Sequence, residues 1–307
     1  INAQTSGEID MELATTISSS TIANVLEIVQ NTGATFVTAT DYAVTLSDTS
    51  ASAANIKLIN TDSTGAINIA AVTTITSSSV SDILEIVQDT GAAFTTASNY
   101  AVTLSDTSAS AANIKLINDD STGAINMAAV TTITSSSTSD VLEIVNNTNA
   151  AFTTASNYAV TLSDTASAAN ANTIMNDTTG NLTATVTATG SVSTLNSALS
   201  NASATDALTL VLNATTASAA DLNTLNGKTS VNINAATITA ITSSTADAVN
   251  TAVTNITAIG LDGNWDVTLS DTTLSAAEVK TINAQTSGTI DMEDATTISS
   301  STIANVL

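Results

Sequence analysis

Residues 44–49 read VTLSDT, and the same six letters begin again at Val102, Val160 and Val267. The first two steps are 58 residues each. Around this anchor, residues 44–101 and 102–159 share SAANIKLIN, STGAIN, AAVTTITSSS, LEIV and the Phe-containing run that leads back to VTLSDT. A fixed period of this size is the mark of stacked supersecondary modules, each unable to bury its apolar face alone.

Working outward, residues 1–43 supply a partial copy, 160–207 a shortened copy, 208–266 a diverged one and 267–307 another partial copy, so one continuous array over 1–307 is the expected organisation. Ile1–Leu26 and Ile282–Leu307 differ only at Glu8 against Thr289 and Leu13 against Asp294. A sequence that returns to its starting phase reads as a window on a longer array. Glycines at 7, 33, 65, 91 and 123 alternate in spacing between 26 and 32 residues, dividing the 58-residue unit into two coils of about 29. At the next position stands Asn149, the other residue that tolerates positive φ, which supports a backbone role for this site.

Within one unit, Ala43–Asp48 alternates as a strand, Ser52–Asn60 carries Ile56 and Ile59 at helical spacing, and Ala66–Ser77 is extended and Thr-rich. A second helix begins near Val80, with Ser79 spaced to cap at Asp82 and an apolar face of Val80, Ile83, Leu84 and Val87. Strand-helix alternation with short links implies parallel strands joined by crossovers. The expected fold is therefore an α/β solenoid of stacked strand-helix coils with parallel β-sheet faces. The alternating spacing favours two unlike helices per unit, set on different faces.

Composition narrows the chemistry. The chain has no Cys, His or Pro, and its only cationic side chains are Lys57, Lys115, Lys228 and Lys280. Thiol and imidazole catalysis, disulfides and the usual zinc or haem ligation are excluded, leaving oxygen-ligand cations such as calcium. A net charge of −23 disfavours nucleic acid and anionic membrane surfaces, and no apolar run is long enough for membrane insertion. Only 2% of residues are aromatic, so the core must be thin and aliphatic.

Four acids share one repeat position: Asp48, Asp106, Asp164 and Asp271. Each precedes a short helix, and capping that helix is the first reading; a line of calcium-binding carboxylates is the second. The correspondence of Asp82 and Asp140 with Asn24, and of Asp89 with Asn31 and Asn147, favours caps, since Asn keeps a cap and loses the charge. Glu27, Glu85 and Glu143 form a further line, expected to be solvated on helix surfaces. Every acid recurs with the repeat, whereas glycosidase-like chemistry needs two singular carboxylates, so no catalytic residue and no enzyme is expected. Phe36, Phe94 and Phe152, and Tyr42, Tyr100 and Tyr158 with Trp265 in the equivalent place, read as packing ladders, with sugar stacking as the sharper alternative. Thr rows such as VTTIT at 72–76 suggest a flat outer face.

The motifs VTLSDTTLSAAEVKTI (267–282), STGAIN and VTTITSSS resemble the Thr/Ser/Ala-rich tandem-repeat arrays of very large secreted bacterial cell-surface proteins of the cyanobacterial type, over essentially the whole chain. The resemblance implies export, an extracellular or cell-surface location, and a part in adhesion or motility. Calcium-binding nonapeptides accompany some of these arrays; GGxGxDxUx is absent from this chain. The expectation is a structural extracellular protein whose partner is itself, through end-to-end or lateral association, with an adhesin or other binding module for a carbohydrate, mineral or ice surface as the alternative.

Overall fold

A computed structural model describes residues 4–255 and 258–299. The chain divides into two compact units, Ile1–Tyr158 and Ala159–Leu307. The boundary falls at the end of the second full repeat. Both units are α/β, with parallel strands and short helices in alternation. A helix together with the strands that precede it is termed a module below.

The N-terminal unit carries helices α1 (Ile22–Val29), α2 (Ala53–Asp62), α3 (Val80–Val87), α4 (Ala111–Asp120) and α5 (Thr138–Val145). The C-terminal unit carries α6 (Ala168–Asp177), α7 (Val192–Ala198), α8 (Ala219–Asn226), α9 (Ala246–Thr254) and α10 (Ala276–Asn283). The helices of the repeat are of two kinds, eight and ten residues long, as the sequence suggested. Their arrangement differs from the expectation of different faces. In each unit every helix packs directly on the next, so both kinds share one row.

Each helix buries a narrow stripe. Ala53, Ile56 and Ile59 of α2 and Val80, Ile83 and Ile86 of α3 are sequestered, while Leu84 and Val87, assigned to the α3 face from periodicity, are only partly covered. The opposing layer comes from alternate strand residues: Val44 and Leu46, Ile67 and Ile69, Ile75, Val102 and Leu104. Burying each such side chain contributes about 1.5–3 kcal/mol relative to exposure, and each contacts material from its own module and the next. This is why one module cannot stand alone.

Strand pairing is parallel throughout and steps by one module. In the N-terminal unit one sheet runs Thr16–Ser20, Ala43–Leu46, Ile67–Asn68, Phe94–Thr95. Another runs Ser50–Ser52, Thr74–Ser78, Ala101–Leu104, Ile125–Met127, Phe152–Thr154. In the second, Ala51 pairs with Ile75, Ile75 with Val102, Val102 with Ile125 and Ile125 with Phe152. The sheet thus begins immediately ahead of α2 and ends on the strand that follows α5. Pairing slips across the modules, and the slip is absorbed at irregularities between Ile17 and Ser20 and between Ile75 and Ser78. Ser19 and Ser135, in the same Ser-rich stretch, have positive φ.

The C-terminal unit has longer strands. Ala159–Ser167, Leu182–Thr187 and Ala207–Val211 pair in sequence, with Val160 opposite Leu182 and Ala184 opposite Leu208. Ile233–Asn234 and Ile259–Gly260 continue that run. A second run joins Thr216–Ala217, Ala240–Ser244, Asp266–Leu269 and Ile290–Asp291.

The repeated glycines fall into two physical classes. Gly33 and Gly91 have φ of 90° and 97°, and Asn149 takes the same region with φ 70°. The helices before them end earlier, at Asn31, Asp89 and Asn147, which are themselves left-handed. Gly65 and Gly123 instead allow contact: a Cβ on Gly65 would lie 2.3 Å from the Asp41 carbonyl oxygen and one on Gly123 2.1 Å from that of Tyr100. The STG motif has its cause here. The Ser63 hydroxyl donates to the Tyr42 carbonyl (2.7 Å) and accepts from the Gly65 N–H (3.1 Å), pinning the module to the one before it.

Candidate functional site

The features that repeat are contacts between successive modules, and the helix N-termini show them most clearly. Inside each module a hydroxyl at the N-cap accepts the N–H three residues on: Ser52 from Asn55 (3.3 Å), Ser79 from Asp82 (3.2 Å), Thr245 from Ala248 (3.2 Å). A second acceptor then arrives from the following module and takes the first helical N–H. Asp48 accepts from Ile22, Asp106 from Val80 and Asp271 from Ala246, each at 2.7 Å. In the alternate modules a buried Ser does the same: Ser78 accepts from Ala53 (2.8 Å), Ser136 from Ala111 (2.7 Å) and Ser244 from Ala219 (2.9 Å).

Capping by these aspartates is therefore observed, and the helix served is a different one from that expected. Asp48 serves α1, which lies before it in the chain, and Ser52 serves α2, the helix it was expected to cap. Asp164 lies on the exposed side of the strand Ala159–Ser167. Ser-bearing modules separate Asp48 from Asp106, and no group of three or more acidic side chains placed to share a cation occurs among the described residues. The Asp89 position also differs from a helix N-cap: Asn31, Asp89 and Asn147 turn the chain out of their helices and accept from the N–H of Phe36 (2.6 Å), Phe94 (2.8 Å) and Phe152 (2.8 Å).

The helix row carries a second set of links. Lys57 of α2 reaches Asp82 (3.0 Å) and Glu85 (2.8 Å) of α3; Lys115 of α4 reaches Glu143 of α5 and its own Asp119, both at 3.0 Å. Glu85 and Glu143, expected to be solvated, are thus ion-pair partners, while Glu27 occupies the same place on α1. The hydrogen bond from Lys57 holds the Asp82 carboxyl below its usual range, and Glu85 and then Asp82 raise Lys57; Glu143 and then Asp119 raise Lys115. In the C-terminal unit asparagine stands at this helical position in α6 to α9, and α10 keeps a lysine there, Lys280. Asn196 donates to the Asp221 carbonyl and Asn223 to the Ala248 carbonyl, each at 2.9 Å. The amide oxygens of Asn196, Asn223 and Asn250 are buried without a partner. Lys228 donates to the Leu199 carbonyl at 2.8 Å, reaching back by one module.

The aromatic positions separate by burial. Tyr42 and Tyr100 are enclosed, and their hydroxyls donate to Asp62 and Asp120 at 2.6 Å. Burial first, then the neighbouring carboxylate, pushes both phenols well above their ordinary range. Trp265 is equally buried, but its indole N–H has no partner and Gln285 replaces the carboxylate. Phe36, Phe94 and Phe152 are half-buried on short strands.

Asn60 and Asn118 form a further link. Asn60 donates to the Thr90 carbonyl (2.6 Å) and accepts from Ala92 (2.8 Å); Asn118 repeats this with Thr148 (2.9 Å) and Ala150 (3.0 Å).

Many of the Thr hydroxyls are also committed. Thr73 donates to Thr49, Thr131 to Thr107, Thr239 to Thr215 and Thr296 to Thr272, always to a carbonyl 24 residues earlier and at 3.2–3.3 Å. A different set faces outward in the C-terminal unit, where Thr161 pairs with Thr183 and Thr185 lies between Thr165 and Thr209. A shallow depression beside it is lined by Thr165, Ser167, Thr187, Thr194 and Ala198, offering hydroxyls and methyls. No helix among the described residues is long and apolar enough to cross a membrane. No protein-family model, no curated protein and no solved structure matches the chain.

Proposed function

We propose that the modules of each unit are coils of an α/β solenoid, about 29 residues each in the regular part, and that the protein is a structural element of the cell exterior. In this reading it builds a rod, surface layer or filament by coil-on-coil and end-to-end stacking, and it is not an enzyme. The observation that carries the reading is the cap from the following module: helix after helix receives its last N-terminal hydrogen bond from the next coil. A helix without its successor lacks a cap worth about 1 kcal/mol, besides the apolar cover, so an added coil is always favoured. Surface location and secretion follow the resemblance of the repeats to large bacterial surface arrays. The stitches need no metal, and calcium would act only by screening the acids.

Electron microscopy of the purified protein, with and without chelator, tests this. Long uniform fibres under both conditions are expected. Discrete particles at every concentration would contradict the stacking role.

A second reading, a binding module, is favoured by one observation: the outward Thr lattice of the C-terminal unit. Its hydroxyls repeat about every 4.8 Å across strands and about 6.7 Å along them. Thermal hysteresis and a glycan array test it, and a null result in both removes it.

A further inference from the structure

The pattern Asn-X-Ser/Thr, the acceptor sequence for N-linked sugars, begins at Asn146, Asn176, Asn181, Asn201, Asn213 and Asn255. In a chain this rich in Asn and Thr the pattern alone decides nothing, but the structure sorts the six. The Asn146 copy is folded into the stop of α5: its middle residue, Asn147, is left-handed, and the N–H groups of Asn146 and Thr148 donate back to Leu142 and Glu143. Thr178, which completes the Asn176 copy, is buried and accepts from the Gly180 N–H (3.0 Å). At Asn201 the partner hydroxyl, Ser203, donates to Asp206 (3.1 Å), and the Asn213 amide donates to the Ala188 carbonyl (2.8 Å). The Asn255 copy includes residues outside the described ones.

Asn181-Leu182-Thr183 differs from all of these. It stands where the regular repeats have Ala66-Ile67-Asn68 and Ala124-Ile125-Asn126, a correspondence fixed by the preceding glycines and by pairing: Ile67 lies opposite Val44, and Leu182 opposite Val160. Both residues that define the acceptor are therefore departures from the repeat, while the buried middle residue stays apolar. Asn181 directly precedes the strand Leu182–Thr187, and alternation puts its side chain on the same outer face as Thr183. Both are exposed, Leu182 between them is buried, and neither the Asn181 nor the Thr183 side chain holds a hydrogen bond among the described residues. The backbone beneath is fixed: the Asn181 carbonyl accepts from Val160 (3.0 Å), and the Leu182 N–H donates to Asp206 (2.8 Å). A substituent on the Asn181 amide thus displaces no core contact.

We propose that Asn181 is a glycosylation site and carries an N-linked sugar on the outer face of the C-terminal sheet. This rests on the exterior location proposed above. The donor is a glycosyl diphosphate. The Asn181 amide nitrogen bonds to the anomeric carbon of the sugar, the bond from that carbon to the diphosphate oxygen breaks, the diphosphate leaves with the electron pair, and the amide proton passes to a base of the transferase. The attached sugar stands beside the row of Thr161 and Thr183 and covers it, so the glycan, in place of bare threonines, meets the surroundings there.

Peptide mapping by mass spectrometry of the protein purified from the cells that make it tests this, with electron-transfer fragmentation to locate the sugar. The expected result is a glycan on Asn181, lost in Asn181→Ala and Thr183→Val and kept in Thr183→Ser. Ala already occupies this place at Ala66 and Ala124, so Asn181→Ala retains the fold, and circular dichroism verifies it. An unmodified Asn181, or a sugar only on other asparagines, overturns the proposal. Labelling intact cells with a membrane-impermeant amine reagent tests the exterior reading separately. Labelled protein with a bare Asn181 keeps that reading and removes the glycan; protein that the label never reaches removes the reading, and the peptide map still decides Asn181 by itself.

Discussion

The two units solve the same packing problem with different chemistry. In the N-terminal unit the helix row is tied by lysine-carboxylate pairs and the core by tyrosines that donate to Asp62 and Asp120. In the C-terminal unit Asn196 and Asn223 donate across the row, Trp265 replaces the tyrosine, and among the described residues four buried polar atoms stay unpartnered. What both keep is the backbone of the design: parallel steps of one module, a Gly against the aromatic's carbonyl, and a cap delivered from the next module. The side-chain links are therefore interchangeable, and the backbone contacts are not.

The largest expected effect breaks a backbone contact. Gly123→Ala puts a Cβ against the Tyr100 and Asn99 carbonyls and should cost about 3 kcal/mol or more, as should Gly288→Ala against Trp265. Gly91→Asn, by contrast, should stay within about 1 kcal/mol, because Asn149 already fills that place with the Asn118 link intact. Urea denaturation with the transition followed by circular dichroism compares them. Equal costs for Gly123→Ala and Gly91→Asn would erase the distinction between the two glycine classes.

Alkaline pH should separate the units next. Tyr42 and Tyr100 have folded pKa values above the ordinary 10.0, so their stabilising contribution is complete below pH 10 and is lost as pH rises toward the folded values. Lys57 and Lys115, raised above 10.5, lose theirs in the same direction. Trp265 brings no such dependence to the C-terminal unit. Hydrogen exchange read by mass spectrometry at increasing pH, corrected for intrinsic rate, should show residues 36–120 losing protection first. Simultaneous loss in both units would contradict this.

Asp106→Ala should cost about 1–2 kcal/mol by leaving the Val80 N–H without its cap, and Asp106→Asn should recover most of it. Loss of protection is expected at α3, the helix before Asp106; loss at α4 instead would restore the local reading of these aspartates.

The smallest effects concern the helix row. Lys57→Leu should change stability only slightly, and less in high salt, since solvent reaches the pair and screens it. Asn223→Leu should be neutral or slightly stabilising, because it removes a partnerless buried oxygen and places there the residue that Leu26, Leu84 and Leu142 supply at the equivalent helical position. A loss above about 2 kcal/mol in the second variant would show that the Asn oxygen has a partner in solution, such as water.

The parallel α/β alternation and the helix starting near Val80 were legible because they depend on local pattern. Asn149 in place of Gly was legible for the same reason. The destination of Asp48 was not, since its partner, Ile22, lies 26 residues earlier and a local helix start stands just ahead of it. Lys57 carries its signal in the spacing: its partners lie 25 and 28 residues on, close to one module step, and acids recur at both spacings from Lys115, as Asp140 and Glu143. The slip of strand pairing across the helices had no sequence signal, because register is chosen by packing on three neighbouring modules at once.

The most direct test of the central claim is a cryo-electron microscopy reconstruction of assembled protein. Stacking predicts one unbroken strand ladder, about 4.8 Å per module, running through the junction between copies. A junction where the ladder stops, with copies joined through side chains alone, would contradict it.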